Sequence, residues 1–481
     1  MEKKAAVNAA ENAAPAARRE VFLREVKEVN RIALPMIVVT VSQYLLRTSP
    51  MLMLGHLGEL PLSSASIATS FCNVTGYSLL YGMSSALETL CGQAYGARQY
   101  RKLGTFALGS ILCLFLVCIP VSILWLFTKN LLILIGQDHA IAVEAGKYAT
   151  WLIPTLFPYA ILQSLVRYLQ AQSLIVPMMW SSVASLCFHL PVCWAFVFKL
   201  NLGIAGAALS IGLSYWLNVI LILAHAKESS TCERSRPAFS RDVYSTMGDF
   251  FRFAIPSAVM VCLEWWSFEL IVLLSGILPN PKLETSVLSI CFTTTSVHYH
   301  IPYSFATAAS VRISNALGGD KPEAAKLALL TVVVLSAAEF LLASGALFSL
   351  RSVWGYVFSY EEEVSRYVEE MVPLLCLSIM LDGTQAVLSG VARGSGWQSL
   401  GAFVNLGSYY LVGVPMALLL GFVFDLKGQG LWGGLLAGSL VQSTAFSLIT
   451  AFTNWEKQAM EARQRLFDEK MQLPHNELLL Q

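Results

Sequence analysis

Apolar runs of about 20 residues or more recur from one end of this chain to the other, and no other feature restricts its fold as much. They fall at 30–54, 62–90, 104–128, 142–168, 175–199, 204–226, 246–278, 285–311, 323–349, 365–392, 398–423 and 430–453. Lipid offers a backbone no hydrogen-bond partners, so runs of this length must be helices. Composition agrees: 13% of residues are charged, against about 25% in soluble domains. The expected fold is an all-α integral membrane protein with twelve transmembrane helices in two pseudo-symmetric six-helix bundles. At roughly 35–40 residues per span and loop, 481 residues suffice for that number.

Basic residues set the expected orientation, because cytoplasmic segments carry an excess of Lys and Arg. With both termini cytoplasmic, 24 of the 32 Lys and Arg fall in inner segments, Arg167, Arg312 and Arg393 among them. The stretch Lys227 to Asp242 is the longest hydrophilic interruption. It divides the chain into a cytoplasmic tail (1–28), an N-half (29–226), a linker (227–245), a C-half (246–453) and a second cytoplasmic tail (454–481). The stretch from Glu456 is charged and reads as peripheral, without a functional signal. The N-terminus lacks the short apolar core of a cleavable signal. A net charge of +1 gives no sign of nucleic-acid binding. The ten cysteines show no CxxC and no Cys/His metal spacing, and read as small buried residues.

The halves repeat each other at an offset of about 220 residues. Ala33-Leu34-Pro35 matches Ala254-Ile255-Pro256, and Gln93-Ala94-Tyr95-Gly96 matches Asn315-Ala316-Leu317-Gly318. Tyr148/Pro154 matches Tyr367/Pro373, and Gly203/Gly206 matches Gly430/Gly433. Halves of six spans joined by a cytoplasmic loop share one topology, so they are parallel repeats, a common transporter plan. Pro35, Pro154, Pro256 and Pro373 lie within spans, where each removes a backbone hydrogen bond. They are hinge candidates, or static kinks for packing.

Two acids lie where a charge costs several kcal/mol. Glu264 is 12 residues past Arg252, or about 18 Å along a helix, and Asp382 is 11 residues before Arg393, or about 16 Å. Both belong to the C-half. Nine residues separate Glu264 from Ile255; the same step from Leu34 reaches Gln43. Nine residues separate Asp382 from Pro373; the same step from Pro154 reaches Gln163. Low dielectric disfavours the charged form of a carboxylate, so such a group can exchange a proton near neutral pH, whereas Gln cannot. Glu264 and Asp382 are the candidate proton or cation couplers. Glu269 is a secondary candidate, although a step of five residues turns it about 140° from Glu264.

Gln43, Gln163, Trp265, Trp266, Tyr299 and Gln385 are candidates for lining a substrate cavity. Aromatic faces beside a carboxylate suit organic cations. His298 and His300, two residues apart, point apart on a helix, which disfavours a metal pair. Glu88 reads as structural, and Arg47 as a snorkelling side chain near the outer interface, with pairing to a carboxylate as the alternative.

Four segments carry a family resemblance: 86–99 (ALETLCGQAYGARQ), 262–291 (CLEWWSFELIVLLSGILPNPKLETSVLSIC), 304–325 (SFATAASVRISNALGGDKPEAA) and 382–398 (DGTQAVLSGVARGSGWQ). They resemble the multidrug and toxic compound extrusion (MATE) transporters, in particular the plant DETOXIFICATION members, over about residues 25–455. The resemblance implies two bundles in a V, and export of organic solutes in exchange for protons or sodium. It implies cation coupling at Glu264, the acid of the EWW motif, and at Asp382. Prokaryotic subgroups place a coupling Asp in the first helix, where this chain has Gln43 and no acid, so a route through the C-half is implied. The expected function is a proton-coupled antiporter without a cofactor, with sodium coupling as the alternative. Its expected setting is the plasma or vacuolar membrane, as a monomer in the lipid bilayer with a small organic substrate. A lipid-linked oligosaccharide flippase would need a basic central cavity, and an enzyme would need a nucleophile or metal cluster; neither pattern is present.

Overall fold

The computed structural model describes residues 2–236 and 241–467. Residues 237–240 of the expected linker and 468–481 of the expected tail lie outside the described residues. Within them the chain is helical throughout, without strands.

The N-half contains α1 (Glu2–Gly55), α2 (59–96), α3 (Tyr100–Leu126), α4 (His139–Ala171), α5 (Ile175–Lys199) and α6 (Gly203–Glu228). The C-half contains α7 (Asp242–Ser275), α8 (Pro281–Gly318), α9 (Pro322–Ser349), α10 (Glu362–Ser395), α11 (Gln398–Val423) and α12 (Lys427–Ala451). A further helix, α13 (Trp455–Phe467), follows.

Ten of these helices are long and apolar enough to cross a membrane. The two that fall short of the expected twelve are α2 and α8. A wider π turn at Asn73–Tyr77 and a break at Ser85 cut α2 into short pieces. The middle of α8 is polar, with Thr293 to Ser296 followed by His298 and His300. Both helices line the space between the halves, which accounts for their lower apolarity.

The first helix runs unbroken through the expected boundary at residue 28. Asp138 starts α4 by accepting hydrogen bonds from the backbone N–H of Ala140 (2.9 Å) and Ile141 (3.2 Å). Pro35, Pro154, Pro256 and Pro373 all sit inside helices that continue past them. The cysteines are free thiols, and eight are buried. Cys187 departs from the expectation and is exposed, because its face of α5 is on the outside of the bundle.

In the N-half α4 packs on α2, α3 and α6, and in the C-half α10 packs on α8, α9 and α12. The halves meet through α1 and α2 on α8, and α2 and α3 on α7. At one end this meeting is tight. A Cβ on Gly96 would strike the backbone of Asn315, and a Cβ on Gly318 would strike the backbone of Gln93. These are the repeated motifs of the sequence, packed reciprocally against each other. Large exposed apolar residues such as Leu52, Trp180, Leu342 and Phe403 cover the outer surface, as a lipid-facing wall requires.

Candidate functional site

Opposite the tight end the halves diverge around a cavity of about 620 Å³, within the range of small-molecule sites. The N-half contributes Tyr44, Arg47 and Thr48 from α1, Ser70 and Tyr77 from α2, Tyr148 from α4 and Tyr215 from α6. The C-half contributes Glu264, Trp265, Phe268 and Glu269 from α7, His298, Tyr299 and His300 from α8, and Asp382 and Gln385 from α10.

Glu264 is buried, and its Oε2 accepts a 2.9 Å hydrogen bond from Nε2 of Gln385, which also donates to Ser389 Oγ at 3.1 Å. Asp382 Oδ1 accepts a 2.8 Å hydrogen bond from Ser439 Oγ on α12. Among the described residues neither carboxylate has an ion pair; both are held by neutral donors. Such a carboxylate keeps room for a proton, a metal cation or a cationic group. A polar chain supports this wall: Tyr409 Oη donates to Gln442 (2.7 Å), whose Nε2 donates to Asn405 (2.7 Å), whose Nδ2 donates to the carbonyl of Met260 (2.7 Å).

Of the sequence candidates, Glu264, Asp382, Glu269, Trp265, Tyr299 and Gln385 line this one cavity. Trp265 also stacks on Tyr81 of the other half, with ring centroids 5.4 Å apart and an interplanar angle of 23°. Glu269 shares the cavity with Glu264 despite the 140° step, because the opening is wide enough to take in both sides of α7.

Three candidates lie elsewhere. Trp266 faces outward, 41% exposed, and donates its indole N–H to the carbonyl of Val74 (3.1 Å). Gln163 is buried, 11 residues beyond Leu152, the deepest α4 residue of the lining, or about 16 Å towards the tight end. Gln43 sits one residue off the stripe Tyr44, Arg47 and Met51 that α1 presents to the opening. His298 and His300 both reach the cavity; His298 Nε2 lies 3.0 Å from Glu339 Oε1, and the His300 ring packs on Tyr44 at 5.0 Å.

Sequence reasoning missed four features. Arg47 lines the cavity and does not snorkel. Glu339, a lone acid in the apolar run of α9, carried the same signal as Asp382. Asn405 and Gln442 are isolated amides in apolar spans, and α13 is not peripheral: Trp455, Ala459, Ala462 and Leu466 are buried. Two of the arginines counted in the inner segments, Arg167 and Arg393, are buried within helices.

The family model for MatE matches residues 35–195 and 256–419, one match in each half. The chain belongs to the MatE family. It is a multi-pass membrane transporter, not an enzyme. It is 54% identical to Protein DETOXIFICATION 14 of Arabidopsis thaliana, over 96% of this chain and 95% of that one. Identity to Protein DETOXIFICATION 9 of the same plant is 48%, over 94% of both. The fold matches the crystal structure of the eukaryotic MATE transporter AtDTX14 with a TM-score of 0.89 at 55% identity, covering 93% of this chain and 100% of that one. At 15% identity, the MATE transporter VcmN of Vibrio cholerae still matches with a TM-score of 0.80, over 92% and 98%, which speaks for the fold alone. Members of the DETOXIFICATION type export organic compounds.

Proposed function

We propose that this transporter exports organic solutes from the cytosol in exchange for protons, through Glu264 and Asp382. The observation that carries the reading is that both acids line the cavity between the halves and are held by neutral groups, Gln385 and Ser439. The likeness to transporters named for detoxification supports the substrate class.

In this reading all twelve long helices cross the membrane, in two six-helix bundles. Both termini and the tight end face the cytosol, as the placement of Lys and Arg favours. The arrangement described then opens away from the cytosol, to the outside or the vacuolar lumen. On that acidic side a proton neutralises Glu264, Asp382 or both. Neutralisation removes the charge that holds a cationic solute, and the solute leaves. The halves then rock to face the cytosol, where the proton departs and affinity returns. The chain works as a monomer, since each half finds its partner within it.

The test is uptake of a fluorescent organic cation into proteoliposomes under an imposed pH gradient, for wild type, Glu264→Gln and Asp382→Asn. Gradient-driven transport by wild type, abolished in both variants at normal insertion, is the expected result. Transport that ignores the pH gradient and follows sodium would replace the proton by sodium at the same carboxylates. Full coupling in either variant would remove that residue from the assignment.

A further inference from the structure

The two walls of the cavity carry opposite charge. Glu264, Glu269 and Asp382 lie on the C-half side, and Arg47 on the N-half side. No ion pair or hydrogen bond to another side chain holds the Arg47 guanidinium among the described residues. Its electrostatic neighbours are the tyrosines 215, 159, 77 and 81 and, from the C-half, the imidazole of His300; none of them is an acid paired with it.

Three other arginines within the helices are treated differently. Arg167 and Arg393 share Glu88, and Arg312 is bound by Glu25 through two hydrogen bonds, at 2.8 and 2.6 Å. A guanidinium at membrane depth costs several kcal/mol unless it is paired or wet. A side chain kept there for packing would have an acid beside it, as those three do. Arg47 has the open cavity, a ring of phenols and the His300 imidazole, and no paired acid among the described residues. Its five donors lie in a fixed plane that matches the two oxygens of a carboxylate, sulfonate or phosphate.

We propose that Arg47 is a specificity-determining residue that anchors an anionic or hydrogen-bond-accepting end of the solute. The solutes favoured are then bipolar: a cationic or flat aromatic part against Trp265 and the acids of α7, and an acceptor group on Arg47. The inference rests on the cavity being the transport site.

The matched probes are rhodamine 110, which carries a free carboxyl group, and rhodamine 123, its methyl ester. They share the cationic ring system and differ in the charge of the acceptor end. Binding is read by fluorescence anisotropy on the full-length purified protein in nanodiscs, without any gradient, for wild type, Arg47→Gln and Arg47→Lys. Wild type should bind the acid more tightly than the ester. Arg47→Gln should lose about tenfold on the acid, the size of one charge-assisted hydrogen bond, and under twofold on the ester. Arg47→Lys should recover part of the loss. Equal weakening of both dyes, no weakening, or no preference of wild type for the acid would overturn the proposal. Binding is measured at equilibrium, so a failure of proton coupling through Glu264 and Asp382 would leave this difference intact and be recognised as separate.

Discussion

Glu88 of α2 and Arg393 of α10 join the two halves by a hydrogen bond of 3.0 Å between Oε2 and Nε, and both side chains are buried. The other carboxylate oxygen lies 3.3 Å from Nε of Arg167, so one acid serves an arginine from each half. Tyr303 extends the cluster: its hydroxyl accepts from Arg167 (3.2 Å) and from Tyr81 (2.5 Å). This group closes the floor beneath the cavity. If the halves part there, Glu88 keeps Arg167 and gives up Arg393.

Removing the acid should therefore leave two buried guanidiniums facing each other. Glu88→Gln is expected to destabilise this arrangement by about 3–5 kcal/mol, the cost of breaking a buried pair from one side. Differential scanning fluorimetry of the purified protein checks it. A melting temperature equal to that of wild type would show that the cluster contributes nothing to holding the halves.

The crossing of Gly96 and Gly318 predicts a steric outcome. Gly96→Ala places a methyl group against the Asn315 backbone, which overpacking makes unfavourable by about 1–3 kcal/mol. Spin labels at the exposed positions Arg101 and Glu323 should report a longer distance, with the population moved towards a parted tight end. An unchanged distance distribution would mean that the helices shift locally to absorb the methyl group.

The two adjacent tryptophans should behave differently. Trp265→Ala removes a ring that lines the cavity and stacks on Tyr81, so dye affinity should fall about tenfold, as for a buried aromatic anchor. Trp266→Ala removes an outward ring and should change affinity less than about twofold. Titration of rhodamine 123 against both variants decides it, and equal losses would reject the assignment of faces.

The last described helix ties the tight end together. Arg465 donates to Gln93 Oε1 and to the carbonyl of Ser395, both at 3.2 Å, and Lys102 donates to the carbonyl of Leu466 at 2.7 Å. Trp455→Ala should cost about 3 kcal/mol by the cavity it leaves, seen as a lower melting temperature with equilibrium dye affinity unchanged. Loss of dye affinity without loss of stability would contradict a bracing role.

Much of this was legible in one dimension. Depth in the membrane is a count of residues at 1.5 Å each, so Glu264 and Asp382 stood out as acids far from either end of their spans. The apolar runs of α1, α3 and α9 were long enough to define themselves. The repeat was legible because Gly96 and Gly318 each close a similar motif, an amide side chain three residues before the glycine and an Ala two before it. Gln163 went astray by depth, and the tryptophan pair and Gln43 by rotation. One residue turns a helix by 100°, which puts Trp265 in the cavity and Trp266 outside it, and Tyr44 in the cavity and Gln43 beside it.

The sequence by itself determined that this chain spans a membrane many times, that it is built twice over, and that its C-half alone carries acids at mid-depth. Those properties follow from hydropathy, from self-similarity and from residue count, and none requires knowing which helix touches which. Only the tertiary structure decided that Glu88 is shared by Arg167 and Arg393 while Arg47 is left to the cavity. Pairing depends on which side chains converge from different helices, across separations such as the 305 residues between Glu88 and Arg393. No local pattern encodes that convergence, because packing between the halves brings those side chains together.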